Sequence, residues 1–322
     1  MCLLVYLSTG LPSLTMKLLI TGASGLLGIN LTMEAMHEHE VVGVDRGKLQ
    51  SAPFPVIKTN FYNHHAFVPA LDSVQPDWVI NCSALANLEE CERHPDQAKI
   101  LNTDLPRELA EACAKRNIKF IHLSTDAVFD GTKEGDYTED DEPNPQGVYS
   151  QTKLDSERAV QEVNPQAIIA RVNFYGWSLG GRRSLGEFFV NNLSEGKNVN
   201  GFTDVIFCPM WVNHLSQTLL EMLEKDLHGL YHVVGAQAMS KYQFGVEVAR
   251  TFGLRSSLIE PQSVERSSLT AKRSHNLWLS IHKLSTDLGH AVPDFSTGLD
   301  GFYTQFQQGY PQKIRSYQQA DG

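Results

Sequence analysis

Tyr149 and Lys153 stand four residues apart in the stretch YSQTK, a spacing at which two side chains share one face of a helix. An isolated phenol has a pKa of roughly 10, too high for easy proton exchange at neutral pH. A fixed ammonium within about 4 Å, at an effective dielectric constant of about 20, favours the phenolate by ~4 kcal/mol, or about three pKa units. The pair is therefore predicted to exchange a proton near neutral pH, although so short a motif also arises by chance.

A predicted strand, FIHLST, ends at Ser124 and Thr125 a short distance upstream of this pair. In open parallel sheets, ligands bind beyond the carboxyl ends of the strands. A hydroxyl at this position is predicted to hold a substrate carbonyl oxygen beside the phenol. The alternative, a hydroxyl that only satisfies backbone groups at a strand end, is at least as common.

Pro106 lies inside a long helical pattern and has no N–H to donate to the carbonyl of Asn102. If this segment lies beside Lys153, the free carbonyl can hold a water that relays protons to the lysine. A proline kink without any function is equally expected.

The segment TGASGLLG carries glycines at every third position, Gly22, Gly25 and Gly28, between an apolar strand pattern and a helix pattern. Such a turn directs backbone N–H groups and a helix N-terminus at one point, where a dinucleotide pyrophosphate binds. The next strand pattern ends at Asp45, whose carboxylate is predicted to accept hydrogen bonds from the adenosine ribose, unless it is only a turn residue. Arg46 follows it and can pair with a 2′-phosphate, so NAD and NADP both stay open.

Strand and helix patterns alternate along the first half of the chain, which predicts an α/β fold with a doubly wound, Rossmann-type parallel sheet. The predicted strands are Lys17–Thr21, Val41–Asp45, Val56–Lys58, Trp78–Cys82, Lys119–Ser124 and Ala167–Val172. The predicted helices are Leu26–His37, Ala66–Val74, Asp96–Arg116, Ser150–Val163, Asn213–Glu224 and Lys241–Phe252.

This pattern fades after Tyr175, and three units follow from it. Residues 1–15 form an N-terminal extension, residues 16–175 the dinucleotide-binding domain, and residues 176–322 a smaller substrate-binding lobe, parts of which are expected to return to the first domain.

The composition favours a packed protein with a small-molecule partner. Of its 322 residues, 42% are hydrophobic, and a net charge of -10 argues against a nucleic-acid surface. The five cysteines are widely spaced, which indicates reduced thiols and a cytoplasmic protein. Neither cysteines nor histidines have metal-ligand spacing, so no metal site is predicted. No apolar run is long enough to span a membrane, so no membrane association is expected.

Taken together, these motifs resemble the extended short-chain dehydrogenase/reductase superfamily. They are TGxxGxxG at 21–28, the strand end NCSA at 81–84, Asn102, STD at 124–126 and YxxxK at 149–153. Within the superfamily, residues 123–157 most resemble the dTDP-4-dehydrorhamnose reductase family, and a weaker likeness extends to about residue 299.

The resemblance implies roles for individual residues. Thr125, Tyr149 and Lys153 would be catalytic, with Asn102 supporting the lysine. The cofactor would be NAD(P)H, contacted by Tyr149 and Lys153 and by residues of the glycine turn and two strand ends: Gly22, Ser24, Gly25, Leu26, Gly28, Asp45, Arg46, Ser83 and Ala84. The substrate would contact Asn87, Asp126, Asn173 and Arg273.

The implied activity is NAD(P)H-dependent reduction of a nucleoside-diphosphate 4-keto-6-deoxysugar, by a protein that can form a homodimer. The family's usual residues are replaced in RVNF at 171–174 and KRS at 272–274, which leaves the sugar open. A nucleotide-sugar epimerase and a non-catalytic subunit like the regulatory subunit of methionine adenosyltransferase are the alternatives. Ala127 stands where the related dehydratases usually carry Glu, which disfavours that activity.

Overall fold

The computed structural model describes residues 15–267 and 271–318, so that the predicted extension, except Thr15, lies outside the described residues. Fourteen strands and twelve helices lie within these ranges. The strands are β1 Lys17–Thr21, β2 Glu40–Asp45, β3 Val56–Lys58, β4 Trp78–Asn81, β5 Lys119–Thr125, β6 Ile168–Val172, β7 Phe174–Tyr175, β8 Val199–Phe202, β9 Ile206–Phe207, β10 Met210–Trp211, β11 Gly229–Val233, β12 Met239–Ser240, β13 Ile259–Gln262 and β14 Asn276–Leu277.

The helices are α1 Leu26–Ala35, α2 Val68–Val74, α3 Leu88–Arg93, α4 Pro95–Lys99, α5 Leu105–Ala114, α6 Val148–Val163, α7 Leu185–Ser194, α8 Val212–Glu224, α9 Lys241–Thr251, α10 His282–Leu288, α11 Phe295–Gln307 and α12 Tyr310–Arg315. Five of the six predicted helices are found with ends within two residues of the predicted ones, whereas α3, α7, α10, α11 and α12 were not predicted. None of the helices in the described ranges is both long and apolar enough to cross a bilayer.

A seven-stranded parallel sheet forms the centre of the fold, in the order β11-β6-β5-β4-β1-β2-β3. Alternate side chains of a strand point to opposite faces, so Leu18 and Ile20 join one core and Leu19 joins another. Helices α1, α8 and α10 cover the first face, whereas α2 and α5 cover the second. Helices on both faces explain why these strands are almost continuously apolar. The predicted Rossmann-type fold class is confirmed.

The predicted helix Asp96–Arg116 is wrong as a single element. Helix α4 gives way to a π-helical turn at Ile100–Asp104, and α5 starts at Leu105 with Pro106 in its first turn. Because proline has no N–H, the regular α-helical hydrogen-bond ladder cannot pass through this position. The widened turn buries Asn102 against the face of α6.

The residues after Tyr175 contribute to both parts of the molecule. Aromatic side chains build a second core, in which the rings of Trp177 and Phe302 stack at 4.2 Å and Phe244 contacts Phe207. In contrast, β11 pairs with β6 at one edge of the central sheet, and α8 packs on α1. The boundary of the dinucleotide-binding domain at residue 175 stays a prediction.

Candidate active site

The glycine turn joins β1 to α1 at the carboxyl edge of the central sheet. Gly22 has φ +67, and the N–H of Gly25 donates to its carbonyl at 2.8 Å. A Cβ on Gly28 would lie 2.1 Å from the same carbonyl oxygen, so no larger residue fits there without moving the backbone. Gly25 precedes α1 as its N-cap and has no side chain to cap it, so the first N–H groups of the helix, from Leu26 onward, stay available to an anion.

Beside this turn, Ser83 offers a buried hydroxyl that has no hydrogen-bond partner among the described residues. An added Cβ on Gly22 would lie 2.9 Å from the Ser83 nitrogen, so the glycine turn and the end of β4 are in close contact. Ala84 follows and is exposed. A buried hydroxyl without a partner costs free energy, which fits a surface completed by a bound dinucleotide.

The Asp45 carboxylate makes hydrogen bonds within the protein that the predicted ribose contact did not include. Its carboxylate accepts hydrogen bonds from the Ser24 hydroxyl and from the N–H groups of Gly47 at 2.8 Å and Lys48 at 2.6 Å. Burial raises the pKa of this carboxyl, but these hydrogen bonds outweigh burial and hold the pKa below its usual value. The turn interpretation therefore accounts for these three hydrogen bonds, and contact of Asp45 with a ribose stays a prediction.

Four basic side chains surround the end of β2, namely Arg46, Lys48, Lys58 and Arg183. All four are exposed, and none forms an ion pair with a described carboxylate. Burial lowers the pKa of Lys48, and the positive charges of Arg183 and Arg46 add to that effect. The Lys58 ammonium lies 3.2 Å from the position of a Cβ on Gly47. Lys48, Lys58 and Arg183 were not predicted: Lys48 lies only two residues beyond Arg46 in the chain, whereas the fold brings Lys58 and Arg183 to this place.

Thr125 and Tyr149 face one cavity of about 260 Å³ at the carboxyl edge of the sheet. Thr125 is the last residue of β5, and Tyr149 lies in the first turn of α6. Burial raises the pKa of Tyr149 to about 12, and the neighbouring Thr125 hydroxyl opposes this rise. The expected lowering of the phenol pKa is therefore wrong for this structure: the phenol is protonated at neutral pH, and burial makes it a weaker acid than a free phenol.

The phenol pKa is not lowered because the ammonium of Lys153, which is only 2% exposed, bonds to other groups. Its ammonium donates to the carbonyl of Leu123 at 2.6 Å and lies 3.2 Å from Nε2 of His122. Burial lowers the pKa of Lys153 to about 8, while Glu157 and Cys82 oppose the shift. The charge of Lys153 is thus turned toward the edge of β5.

A buried polar chain fixes the ring of His122. The Asn81 amide donates to Nδ1 at 3.2 Å, so Nε2 carries the hydrogen and donates to the Ser156 hydroxyl at 2.8 Å. Burial, together with the charge of Lys153, holds the pKa of His122 well below its usual value, so the ring is neutral. Because Nε2 is a donor, the ammonium of Lys153 gains no hydrogen bond from it.

Asn102 contacts the site through other residues. Its amide donates to the Thr152 hydroxyl at 3.1 Å and to the carbonyl of Leu85 at 3.1 Å, and its oxygen accepts from the N–H of Leu85 at 2.8 Å. The side chain therefore joins the β4–α3 loop to α6 next to Lys153, without a hydrogen bond to that lysine.

The predicted substrate residues fall into two groups. Asp126, Asn173 and Arg273 line the cavity together, and the Asn173 amide donates to the Asp126 carboxylate. Arg273 also pairs with Glu89 at 3.3 Å. Asn87 does not line the cavity; its oxygen accepts from the N–H of Glu90 at 2.9 Å and caps α3.

Burial raises the pKa of Asp126 to about 6, against opposing hydrogen bonds from Asn173 and Thr125. Lys241, at the start of α9, also lines this cavity and was not predicted. The serine N-cap and the apolar pattern after it predict helix α9. The neighbouring sequence does not indicate that Lys241 faces this cavity.

Two other features lie away from this cavity. A larger one of about 1120 Å³ opens at the amino ends of the strands, beside Trp78 and Lys119, and neither Thr125 nor Tyr149 lines it. Glu38, His39 and Glu224 bring ligand atoms within 4.8 Å of one another, with both glutamates exposed. Exposed acidic groups of this kind are common, and the carboxyl edge of the sheet remains the place where the predicted residues meet.

The chain is similar to several known proteins over most of its length. It is 32% identical over 292 residues to "Probable low-salt glycan biosynthesis reductase Agl14" of Haloferax volcanii, and the match covers 89% of this chain and 97% of that protein. It is 28% identical to dTDP-4-dehydrorhamnose reductase of Aggregatibacter actinomycetemcomitans, covering 88% and 97%. It is also 30% identical to methionine adenosyltransferase 2 subunit beta of Mus musculus, covering 92% and 90%.

Among solved structures, dTDP-4-dehydrorhamnose reductase of Bacillus anthracis in complex with NADP shares the fold, with a TM-score of 0.82. The two chains are 23% identical, and the match covers 91% of this chain and 100% of that one. Residues 16–308 match the family described as RmlD substrate binding domain. The chain belongs to this family.

Proposed function

We propose that the chain is an NAD(P)H-dependent reductase of a nucleoside-diphosphate 4-keto-6-deoxysugar. The observation that carries this proposal is that Thr125 and Tyr149 line one cavity at the sheet edge where the glycine turn lies. Relatives named as reductases, including dTDP-4-dehydrorhamnose reductase, align with nearly the whole chain and support it. A fold alone would not, because one fold hosts many activities.

The chain's own residues divide the work of reduction. Tyr149 gives its phenolic proton to the carbonyl oxygen as negative charge develops there, and the Thr125 hydroxyl donates a hydrogen bond to the same oxygen. Lys153 holds a proton at Nζ one helical turn from the phenol. The nicotinamide cofactor, when bound, supplies the hydride that the carbonyl carbon receives. The products are an alcohol, the oxidised cofactor and a Tyr149 phenolate, which takes up a proton from solvent before the next turnover.

We further propose that the cofactor is NADPH in preference to NADH. A carboxylate at the end of β2 selects the ribose diol, whereas cations at this position accommodate a 2′-phosphate. The Asp45 oxygens are already occupied by Ser24, Gly47 and Lys48. The unpaired cations Arg46, Lys48, Lys58 and Arg183 stand out in a chain whose net charge is -10. The negative charge of Asp45 opposes a phosphate, but four neighbouring cations exceed it.

The substrate contacts are proposed at the other end of the cavity. Asp126 and Asn173 would contact the sugar, and Arg273 the diphosphate. Asn87 is the weakest of these assignments, because its side-chain oxygen already caps α3.

The deciding experiment follows the loss of absorbance at 340 nm with NADPH and a panel of nucleotide-linked 4-ketosugars, each at equal concentration. We expect one equivalent of NADPH consumed for each alcohol formed. A redox-neutral interconversion of two sugars with tightly retained cofactor would instead identify an epimerase.

A second candidate is a non-catalytic cofactor-binding subunit. It is favoured by the 30% identity to methionine adenosyltransferase 2 subunit beta over 92% of this chain. Stable copurification with a methionine adenosyltransferase, together with no turnover of any ketosugar, would establish it over the reductase.

A homodimer and a cytoplasmic location are proposed as well. The location is supported by the four described cysteines, Cys82, Cys91, Cys113 and Cys208, all of which are free. The homodimer rests on the resemblance to extended short-chain dehydrogenases, and light scattering of the purified protein tests it.

A further inference from the structure

Lys241 lines the active-site cavity, although no sequence motif predicted it there. It follows Ser240, whose hydroxyl accepts from the N–H of Gln243 at 3.1 Å and so fixes the start of α9. The Lys241 N–H donates to the carbonyl of Val205 at 3.1 Å, which ties this point to the second lobe. Strand pairing between β12 and β9 then holds the residue at the wall opposite Thr125 and Tyr149.

The Lys241 ammonium has no hydrogen-bond or ion-pair partner in the ranges 15–267 and 271–318. The side chain is nevertheless partly buried, and its burial lowers its pKa. An ammonium has three donors and no acceptor, so withdrawing it from water without partners costs free energy. Because the side chain is only partly buried, water can reach the ammonium, and a ligand that enters the cavity can supply the acceptors that water otherwise provides.

The charges around Lys241 indicate the sign of that ligand. Arg273 disfavours its charged form and Asp126 favours it, and Lys272 lines the same cavity. Glu92, the other acidic group of the lining, already accepts from the N–H of Val148 at 2.8 Å. Three cations and two carboxyl groups line the cavity, but Arg273 also pairs with Glu89 at 3.3 Å. Lys241 and Lys272 are therefore the lining cations that have no ion-pair partner among the described residues and can meet an anion.

We propose that Lys241 binds an anionic oxygen of the substrate in the cavity that Thr125 and Tyr149 also line, and thereby selects the substrate. This inference rests on the proposed function. In a nucleoside-diphosphate 4-keto-6-deoxysugar C6 is a methyl group, so the diphosphate is the group that supplies the oxygen. Its oxygens are the acceptors that an ammonium requires.

A structural role as the counterion of Asp126 is the competing explanation. No ion pair joins the two residues, whose charged atoms lie more than 4.0 Å apart. Asp126 also has its own partners in Asn173 and Thr125. On this basis Lys241 is free to serve a ligand.

The test compares the wild-type chain with Lys241→Met, which keeps the aliphatic stem, and with Lys241→Arg, which keeps the charge. Calorimetry measures the binding of dTDP, UDP, UDP-glucose and UDP-glucuronic acid to each protein, and NADPH affinity and the unfolding temperature are recorded in parallel. Lys197→Met is the matched control, because Lys197 is exposed, pairs with Glu195 and does not line the cavity.

We expect Lys241→Met to weaken binding at least about tenfold, with partial rescue by Lys241→Arg and no effect of Lys197→Met. A loss shared by all four ligands supports the assignment of Lys241 to the diphosphate, and a loss confined to UDP-glucuronic acid overturns it, because the proposed substrate has no carboxylate. Unchanged binding of every ligand, or a drop in unfolding temperature without a loss of binding, overturns the inference. If the wild-type chain binds none of the four, the proposed substrate class fails along with it.

Discussion

The ammonium of Lys153 donates to the carbonyl of Leu123 at 2.6 Å, at the end of strand β5. This bond uses one of the three ammonium donors, and the hydrogen on His122 Nε2 prevents that ring from accepting a second. The charge is therefore anchored to the sheet rather than to the phenol. Lys153 affects the site through the position of its Nζ proton and through its pKa, which burial lowers to about 8.

This pKa makes the rate of reduction depend on pH. Reduction consumes a proton, and above a pH of about 8 the Lys153 side chain loses the one it holds. We expect kcat to fall as pH rises through this value. Lys153→Arg, whose guanidinium stays charged to a pH of roughly 12, should move the fall to higher pH even if the maximum rate drops. Profiles that fall at the same pH in both proteins would exclude Lys153 as the group responsible.

Tyr149→Phe keeps the ring and removes the proton that the carbonyl oxygen receives. We expect kcat to fall by about 10²-fold to 10⁴-fold, the range for loss of a positioned proton donor, with NADPH affinity little changed. Steady-state kinetics and fluorescence titration with NADPH measure the two quantities. Tyr303→Phe, on the remote face of α11, serves as the control, and near-normal turnover of Tyr149→Phe would remove the phenol from the mechanism.

Asp126 should make folding stability depend on pH. Its pKa of about 6 lies above its usual 3.8, so between these values the folded chain binds more protons than the unfolded chain. The stabilisation from this proton is present below a pH of about 4 and is lost as pH rises through 6, a difference of about 3 kcal/mol.

Urea unfolding of the wild-type chain and of Asp126→Asn at several pH values tests this dependence. The free energy of unfolding of Asp126→Asn should gain on that of the wild type between a pH of about 4 and 7. Parallel curves for the two proteins would contradict the raised pKa.

Cofactor selection should depend on the cations at the end of β2. We expect Lys48→Ala and Arg183→Ala each to weaken NADPH binding by roughly tenfold and to leave NADH binding nearly unchanged, since each removes one charged contact to the 2′-phosphate. Titration with 2′,5′-ADP and with 5′-ADP isolates that contact from the nicotinamide. Lys225→Ala, at an exposed lysine that directly follows α8, is the control, and equal losses for NADH and NADPH would refute a 2′-phosphate site.

Much of the fold follows from local pattern. The predicted strands Lys17–Thr21 and Val56–Lys58 match the observed bounds, and the others differ by one residue at an end. Buried parallel strands are short apolar runs that end at turns, so their bounds are encoded nearby. The glycine turn could also be predicted from the sequence, because the positive φ of Gly22 and the close backbone contact at Gly28 favour glycine at both positions.

The contacts of the site were harder to predict from the sequence where a side chain bonds to a residue that is distant in the chain. The YxxxK spacing places Lys153 on the same helix face as Tyr149, yet the fold supplies the Leu123 carbonyl as a competing acceptor. Asp45 was expected to face a ribose, but the N–H groups of Gly47 and Lys48 curl back onto it. Lys241 enters the cavity through a strand pair between β12 and β9, and nothing in its own neighbourhood reveals that pairing.

The return of Gly229–Val233 to the edge of the central sheet has a consequence for biosynthesis. While the ribosome is still making the second lobe, strand β6 has an unsatisfied edge and α1 lacks its cover of α8. A nascent chain that ends before Val212 exposes both, and one that ends between Glu224 and Gly229 still exposes the edge of β6, where open strand edges recruit other chains. The central sheet is therefore completed only after Val233 has been synthesised.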